Sequence, residues 1–425
     1  MARPPLSTAS RVEKAILVGV DSPGSPQESL DELALLTDTA GARVVDRLIQ
    51  RRSTIEPSTY LSKGKRGTLA ELIAQHKAEL VIFDEELSPA QVRNLERDLQ
   101  VRVVDRSELI LDIFARRART REAMLQVELA QLEYLLPRLT RMWTHLERQV
   151  GGIGTRGPGE TQLEVDRRRV RKKISILKEK LERIDRERET QRKGRGDFFR
   201  GALVGYTNAG KSTLFNALTQ AGVLAEDKLF ATLDTTTRQL GLPEEQKMLL
   251  SDTVGFIRKL PHHLIASFRA TLLEVREADL IIHVVDASHP RHEEQIRAVE
   301  EVLSEILERD VARLIVLNKI DRLGEEEMSQ ALRLRHPDAE IVCAHSQGDV
   351  ARLRDRLARE LASTRVVVSL NLPVERIGDV RGILRRGRVI RERYEDGRLH
   401  AEYALARPDI ERLQRSGCSV KPLPG

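Results

Sequence analysis

The chain has 425 residues, 40% hydrophobic and 32% charged, which is too long for one domain of ordinary size and sufficient to bury several cores under a solvated surface. That composition excludes a collagen-like or wholly disordered chain. Its two cysteines, Cys343 and Cys418, exclude a disulfide framework. The net charge of +6 is unevenly spread: residues 116–200 hold 23 basic against 13 acidic side chains, and residues 364–425 hold 13 against 8. Two basic segments in an otherwise acidic chain point to a polyanionic partner, with Arg/Glu-rich solvated helix faces as the alternative. No run of about 18 apolar residues is present to span a membrane. The N-terminal stretch lacks the apolar core of a secretory signal, so a reducing cytoplasm is expected.

In chain order, residues 1–115 alternate strand-like runs (15–20, 43–48, 80–83 and 101–104) with helical patterns (29–40, 68–76 and 89–99). Such alternation predicts a small parallel α/β domain. The stretch 62–67 (SKGKRG) lacks a full phosphate-loop pattern and reads as a solvated basic loop.

From Leu125 the period changes. Leu125, Leu129, Leu132, Leu136, Leu139, Trp143 and Leu146 alternate four- and three-residue spacings, and Val170, Ile174, Leu177, Leu181 and Ile184 repeat the pattern. Two heptad seams around a Gly-rich break predict an antiparallel coiled-coil arm over 116–197. The second helix, over 161–192, should reach about 48 Å at 1.5 Å per residue, and Pro137 should kink the first. The tip at 151–159 carries five glycines and Arg156. It is read either as backbone apposed to phosphate or as a plain flexible connection.

Residues 198–363 form a mixed α/β segment. Residues 364–425 read as a small α+β domain with a strand at 366–370, a helix over 373–386 and a hairpin from 388–394 to 398–405.

The chemistry lies in the third segment. The apolar run ending at Gly205 leads into GYTNAGKST, which matches G-x-x-x-x-G-K-[ST]. Gly205, Tyr206, Thr207, Asn208, Ala209 and Gly210 would curl backbone N–H groups around phosphates at the start of a helix over 211–219. Lys211 would reach the β- and γ-phosphates, and the Ser212 hydroxyl would ligate Mg²⁺. Downstream, Asp252, Thr253, Val254 and Gly255 end another apolar strand, with Asp252 placed to support the metal and the Gly255 amide to meet the γ-phosphate.

A third strand runs into Asn318, Lys319, Ile320 and Asp321. The Asp321 carboxylate can accept from guanine N1 and N2, a donor pair adenine lacks, so the nucleotide is expected to be GTP or GDP. A fourth strand at 341–344 brings Cys343, Ala344 and His345 toward the base, where the Ala344 amide would face guanine O6. Between these motifs, LFATLDTTTR includes Phe230, Ala231, Thr232, Leu233 and Asp234. Thr232 is the chosen second Mg²⁺ ligand over Thr235, Thr236 and Thr237. The segment should order and disorder with the γ-phosphate.

Phe256 stands where many GTPases place a water-orienting glutamine. Slow intrinsic hydrolysis is therefore expected. Lys211, Asn208 and Gly255 form the predicted catalytic set, with a partner or K⁺ at Asn208 supplying the missing stabilisation.

These residues, with GGIGTRGPGETQLEVDRRR at 151–169, resemble the HflX family of translational GTPases over nearly the whole length. The resemblance implies an N-terminal α/β domain, a helical arm, a P-loop G domain with a doubly wound, mostly parallel sheet, and a small C-terminal domain. It further implies a cytoplasmic, ribosome-associated protein that binds the large (50S) subunit and its rRNA and splits or rescues stalled ribosomes or acts in ribosome biogenesis, with hydrolysis stimulated by the ribosome; a monomer is expected. Thr235 departs from the family's LDPTTR, and Cys343-Ala344-His345 from Ser-Ala-Leu-like residues. A tRNA-modification-type GTPase and a GTP-ordered scaffold are the competing expectations.

Overall fold

A computed structural model describes residues 12–21, 26–51, 55–139, 158–193, 198–220, 222, 229–230, 232–244, 246–259, 269–323, 326–363, 365–384 and 387–423. The Gly-rich tip through 157, Ala231, Trp143 and Leu146 lie outside them. The chain forms two compact units. One comprises residues 1–185, 226–234 and 257–271, and the other 186–225, 235–256 and 272–425.

The first unit opens with β1 (Lys14–Asp21), α1 (Pro26–Thr39), β2 (Arg43–Arg51), α2 (Lys63–His76), β3 (Leu80–Phe83), α3 (Pro89–Leu99), β4 (Arg102–Asp105) and α4 (Arg106–Arg117). The strands pair in parallel in the order β2-β1-β3-β4. All four residues of β3 are buried, as a strand covered on both faces requires. Helix α3 starts on a capping box in which Ser88 and Gln91 satisfy each other's amides.

The stretch 62–67 is not a loop. Ser62 caps α2 by accepting from the Lys65 amide, and Arg66 pairs with Asp98 at 2.5 Å. The cap offsets part of the helix cost of Gly64 and Gly67, about 1 kcal/mol each.

Helix α5 (Arg121–Leu139) contains Pro137, and α6 spans Pro158–Lys193. On α6, Leu177 is buried and Val170, Ile174, Leu181 and Ile184 are half-buried, with exposed residues on both sides of the first three, so the apolar stripe is the covered face. Ion pairs Lys173–Glu128 (2.5 Å) and Lys178–Glu133 (2.8 Å) join α5 and α6. Helix α5 differs from expectation: Ala123, Val127, Ala130 and Tyr134 are more deeply buried than most of the leucine stripe, because this second face packs toward α4.

Two short segments from far along the sequence also belong to the first unit. Phe230 meets Phe114 edge-to-face, with ring centroids 4.7 Å apart. The Asp234 carboxylate accepts from the Arg119 and Thr120 amides at 3.0 and 3.2 Å and from Thr120 Oγ1 at 2.5 Å. Lys259 Nζ lies 2.5 Å from Asp84 and 2.7 Å from Glu85. Arg106, buried, pairs with Asp84 at 2.7 Å and with Glu32, and donates to the Arg258 carbonyl at 3.0 Å.

In the second unit, β5 (Phe199–Gly205), α7 (Lys211–Thr219), β6 (Thr236–Gly241), β7 (Lys247–Asp252), α8 (Arg269–Arg276), β8 (Leu280–Asp286), α9 (His292–Ile306), β9 (Ala312–Asn318), α10 (Glu326–Arg335), β10 (Glu340–Ile341) and α11 (Gln347–Ser363) follow one another; α8 begins in the first unit and ends in the second. The sheet order is β10-β9-β8-β5-β7-β6, parallel except for β6. Strand order reverses at β5, so the crevice at its C-terminal end is a topological switch point. The strand expected at 341–344 is only Glu340–Ile341, and the next residues turn toward α11.

The C-terminal segment is an antiparallel sheet, β12-β13-β11-β14, from β11 (Arg365–Pro373), β12 (Arg388–Glu395), β13 (Arg398–Ala406) and β14 (Ser419–Pro422). It is covered by α12 (Ile377–Leu384) and α13 (Arg407–Arg415). The helix expected from 373 begins later, because Pro373 ends β11 and a 3-10 turn, Val374–Arg376, intervenes.

Candidate functional site

The site grows from the end of β5. Gly205 has φ +150°, and a Cβ there would sit 2.1 Å from the Val284 carbonyl of the neighbouring strand. The chain then passes Asn208 (φ 63°) and Gly210 (φ 91°) into α7, which starts at Lys211 as expected. A side chain at Gly210 would meet Asn318 Nδ2 at 2.3 Å. These glycines allow the loop to close and leave its amides at a helix N-terminus, an arrangement suited to phosphate.

Lys211 is buried and donates to the carbonyls of Gly205 (3.1 Å) and Tyr206 (2.9 Å). Burial pulls its ammonium down to about 8; the Asp252 carboxylate pushes it back up and Lys319 lowers it further. Ser212 Oγ donates to Asp252 Oδ2 at 2.6 Å, which brings together the two oxygen groups that the sequence assigns to the metal. Thr253 Oγ1 donates to the Leu203 carbonyl at 2.6 Å and fixes the turn after β7. A Cβ on Gly255 would lie 2.8 Å from Thr207 Cα and 3.0 Å from Lys211 Nζ. Val254 is half-buried.

Asn318 is the hub of the base-reading end. Its Nδ2 donates to the Ala209 carbonyl at 2.9 Å, and its Oδ1 accepts from the Ala344 amide at 3.2 Å. Lys319 Nζ reaches the Asn208 carbonyl at 2.7 Å and Asp286 at 2.6 Å. Ile320 and Asp321 start a 3-10 turn with Asp321 exposed. Burial pushes the Cys343 thiol up, and its hydrogen bond to Asp321 adds to this. His345 is exposed.

Phe230, Thr232, Leu233 and Asp234 belong to the first unit; Phe230 and Leu233 are buried there and Thr232 is half-buried.

Two contributors were not read from the sequence. Asp286 ends β8 and holds the Lys319 ammonium; Asp349 Oδ2 accepts from the Cys343 amide at 2.8 Å. An acidic residue closing the VVD run of β8 was the available signal for the first. The second is a tertiary contact with no local signature.

A phosphate loop at the switch point of a doubly wound sheet, joined through Asn318 to a guanine-type N-K-x-D loop, defines a P-loop GTPase. Three family models match in succession: "GTP-binding GTPase N-terminal" over residues 27–115, "GTP-binding GTPase Middle Region" over 117–195 and "50S ribosome-binding GTPase" over 200–319. The chain is similar to the proteins described as GTPase HflX of Caldanaerobacter subterraneus subsp. tengcongensis (45% identity, covering 95% of this chain and 93% of that one) and Escherichia coli K12 (44%, 94% and 95%). That of Flavobacterium psychrophilum is 52% identical, covering 73% and 76%. The chain belongs to the HflX family of GTPases. Among the described residues no helix is long and apolar enough to cross a membrane.

Proposed function

We propose that the chain is a ribosome-associated GTPase that binds GTP with Mg²⁺, attaches to the large subunit and its rRNA, and hydrolyses GTP faster there, so that nucleotide state gates attachment during splitting or rescue of stalled ribosomes. The observation that carries the nucleotide reading is the Asn318 side chain, which ties the phosphate loop at Ala209 to the base-side loop at Ala344. The residues fit the ligands: Gly210 and Gly255 keep open a cradle that a Cβ would invade, and the Ser212 hydroxyl and Asp252 carboxylate are hard oxygen groups suited to Mg²⁺. When bound, Mg²⁺ offsets phosphate charge and polarises the terminal phosphoryl group. Ser212 would hold the metal, with Thr232 the second ligand expected from the sequence; Lys211 would hold the β/γ-phosphates, the 205–210 amides would cradle them, Gly255 lets Lys211 and Thr207 approach, and Asp321 would read the base. Asn208 would hold K⁺.

The ribosomal reading rests on the basic surplus over 116–200 and on the third family description. In this reading residues 1–115 form the N-terminal domain, 116–197 an antiparallel coiled-coil arm with its tip at 151–159, 198–363 the G domain and 364–425 the C-terminal domain. The protein works as a cytoplasmic monomer. The test is GTP turnover and co-sedimentation with purified 50S subunits at two salt concentrations, in K⁺ and in Na⁺. Expected are faster turnover with subunits, salt-sensitive sedimentation that strengthens with a non-hydrolysable GTP analogue, and faster turnover in K⁺. Turnover and sedimentation indifferent to subunits and nucleotide would overturn the ribosomal role, and equal turnover in both salts the K⁺ role.

A further inference from the structure

Away from the nucleotide site, the second unit brings together side chains that GTP chemistry does not use. Among the described residues, one trio of histidine and carboxylate groups, His292, Glu293 and His336, places one ligand atom each within 4.8 Å of the others. His292 and Glu293 open α9, and His336 follows directly after α10, so residues 43 positions apart in sequence converge on one point.

The hydrogen bonding fixes which atoms face that point. His292 Nδ1 lies 3.0 Å from the His289 carbonyl oxygen. A carbonyl only accepts, so the proton sits on Nδ1 and the neutral ring keeps its lone pair on Nε2. That Nε2 is buried and has no hydrogen-bond partner among the described residues. It lies 3.7 Å from Glu293 Oε1, which is in turn 2.9 Å from His336 Nε2. A backbone carbonyl that fixes the far nitrogen of an imidazole is the usual outer support of a metal-bound histidine.

We propose that His292 Nε2, a Glu293 carboxylate oxygen and His336 Nε2 bind a first-row transition ion of the zinc class. Tetrahedral zinc at about 2.0–2.2 Å from its ligands requires ligand atoms about 3.4 Å apart. The separations of 3.7 and 2.9 Å fall on either side of that value. Two imidazoles and one carboxylate select Zn²⁺, Co²⁺ or Ni²⁺ and disfavour Mg²⁺ and Ca²⁺, which take all-oxygen shells. The three groups are half-buried, and three protein ligands are the number a zinc site with water in the fourth position takes. The ion would pin the start of α9 to the end of α10. Arg335 Nη1, 3.8 Å from Glu293 Oε1, is the competing cation and swings aside when the ion binds.

The test uses the full chain, stripped of metal by chelation and then saturated with GDP and excess Mg²⁺ so that the nucleotide site is occupied. Co²⁺ is titrated and followed by its visible d–d bands, then displaced with Zn²⁺. Expected are low-symmetry cobalt bands with one-to-one stoichiometry, bleached by Zn²⁺, and a Zn²⁺-dependent rise in Tm. His292→Ala and His336→Gln should each weaken cobalt binding roughly tenfold or more while leaving GDP affinity unchanged, which shows that the variants are folded. Cobalt bands unchanged in the His292→Ala/His336→Gln double variant would overturn the assignment. So would the absence of any band or Tm shift in the parent, since the trio would then be a hydrogen-bonded cluster only.

Discussion

The Thr207 amide donates to the Phe256 carbonyl at 2.7 Å, and the Phe256 amide donates to the Gly205 carbonyl at 3.0 Å. The residue after the D-x-x-G turn is thus bonded by its backbone to the phosphate loop, while its ring is buried. Its position serves packing, in keeping with the absence of a water-orienting side chain there.

Phe256→Gln should therefore not create a faster enzyme. The amide would replace a buried ring without an assured partner, costing about 2–4 kcal/mol of stability. Urea unfolding and GTP turnover of the isolated chain measure both effects. A stable variant with accelerated turnover would show that the position can orient water.

Gly255→Ala tests the approach of two loops. Its Cβ would press on Thr207 Cα at 2.8 Å and on Lys211 Nζ at 3.0 Å. Displacing the phosphate-binding lysine by even part of an ångström should lower turnover on the order of tenfold to a hundredfold. The unfolding midpoint should fall as well, because the clash is with the backbone of the buried Thr207, which cannot yield as the end of a flexible side chain would.

Asn318→Ala removes both ties of the hub and orphans the Ala209 carbonyl and the Ala344 amide. A loss of about 1–3 kcal/mol in unfolding free energy is expected, together with weaker GDP binding in a titration. Unchanged GDP affinity would separate the hub from base reading.

How much of this was legible varies by residue. The helix at 211–219 and the strand at 80–83 were read to the residue, the first because the glycine loop and Lys211 set its start, the second because burial on both faces demands an unbroken apolar run. Ser62 and Pro373 misled, since each acts as a boundary whose direction depends on one hydrogen bond or one missing donor. On α5, the leucine stripe obscured the smaller Ala123, Val127, Ala130 and Tyr134 face, which only the fold of α4 reveals. The placement of Phe230 and Asp234 beside Phe114 and Thr120 is set by contacts more than a hundred residues apart, which no local pattern encodes.

Asp84 and Lys259 contrast buried with exposed charge. Asp84 is buried and accepts from Arg106 and from Ser29 Oγ (2.5 Å), so Asp84→Ala takes from the buried Arg106 guanidinium one of its two carboxylate partners and leaves it Glu32. A loss of about 3–5 kcal/mol is expected. Lys259→Ala removes a third, more exposed partner of the same carboxylate and should cost less than about 1 kcal/mol. Paired urea titrations decide the matter, and equal losses would mean that Lys259 carries more than its exposure suggests.

Lys211 links the phosphate loop to pH. Burial holds its ammonium down at about 8 against an ordinary 10.5. The folded chain thus releases this proton before the unfolded chain does, and the contribution of Lys211 to stability rises as pH climbs from about 8 toward 10.5. A polyphosphate beside the ammonium favours the charged form and raises its pKa again. GDP binding at a pH of about 8.5 should therefore draw somewhat less than one proton from solution to Lys211, and near pH 6.5 almost none. Calorimetric titration in two buffers of different ionisation enthalpy measures this directly. The apparent enthalpy should depend on the buffer through this proton uptake at the higher pH, where the terminal phosphate of GDP is already ionised, and Lys211→Met should remove that dependence along with most of the affinity. A buffer-independent enthalpy at the higher pH would mean that Lys211 is already fully protonated before the nucleotide arrives.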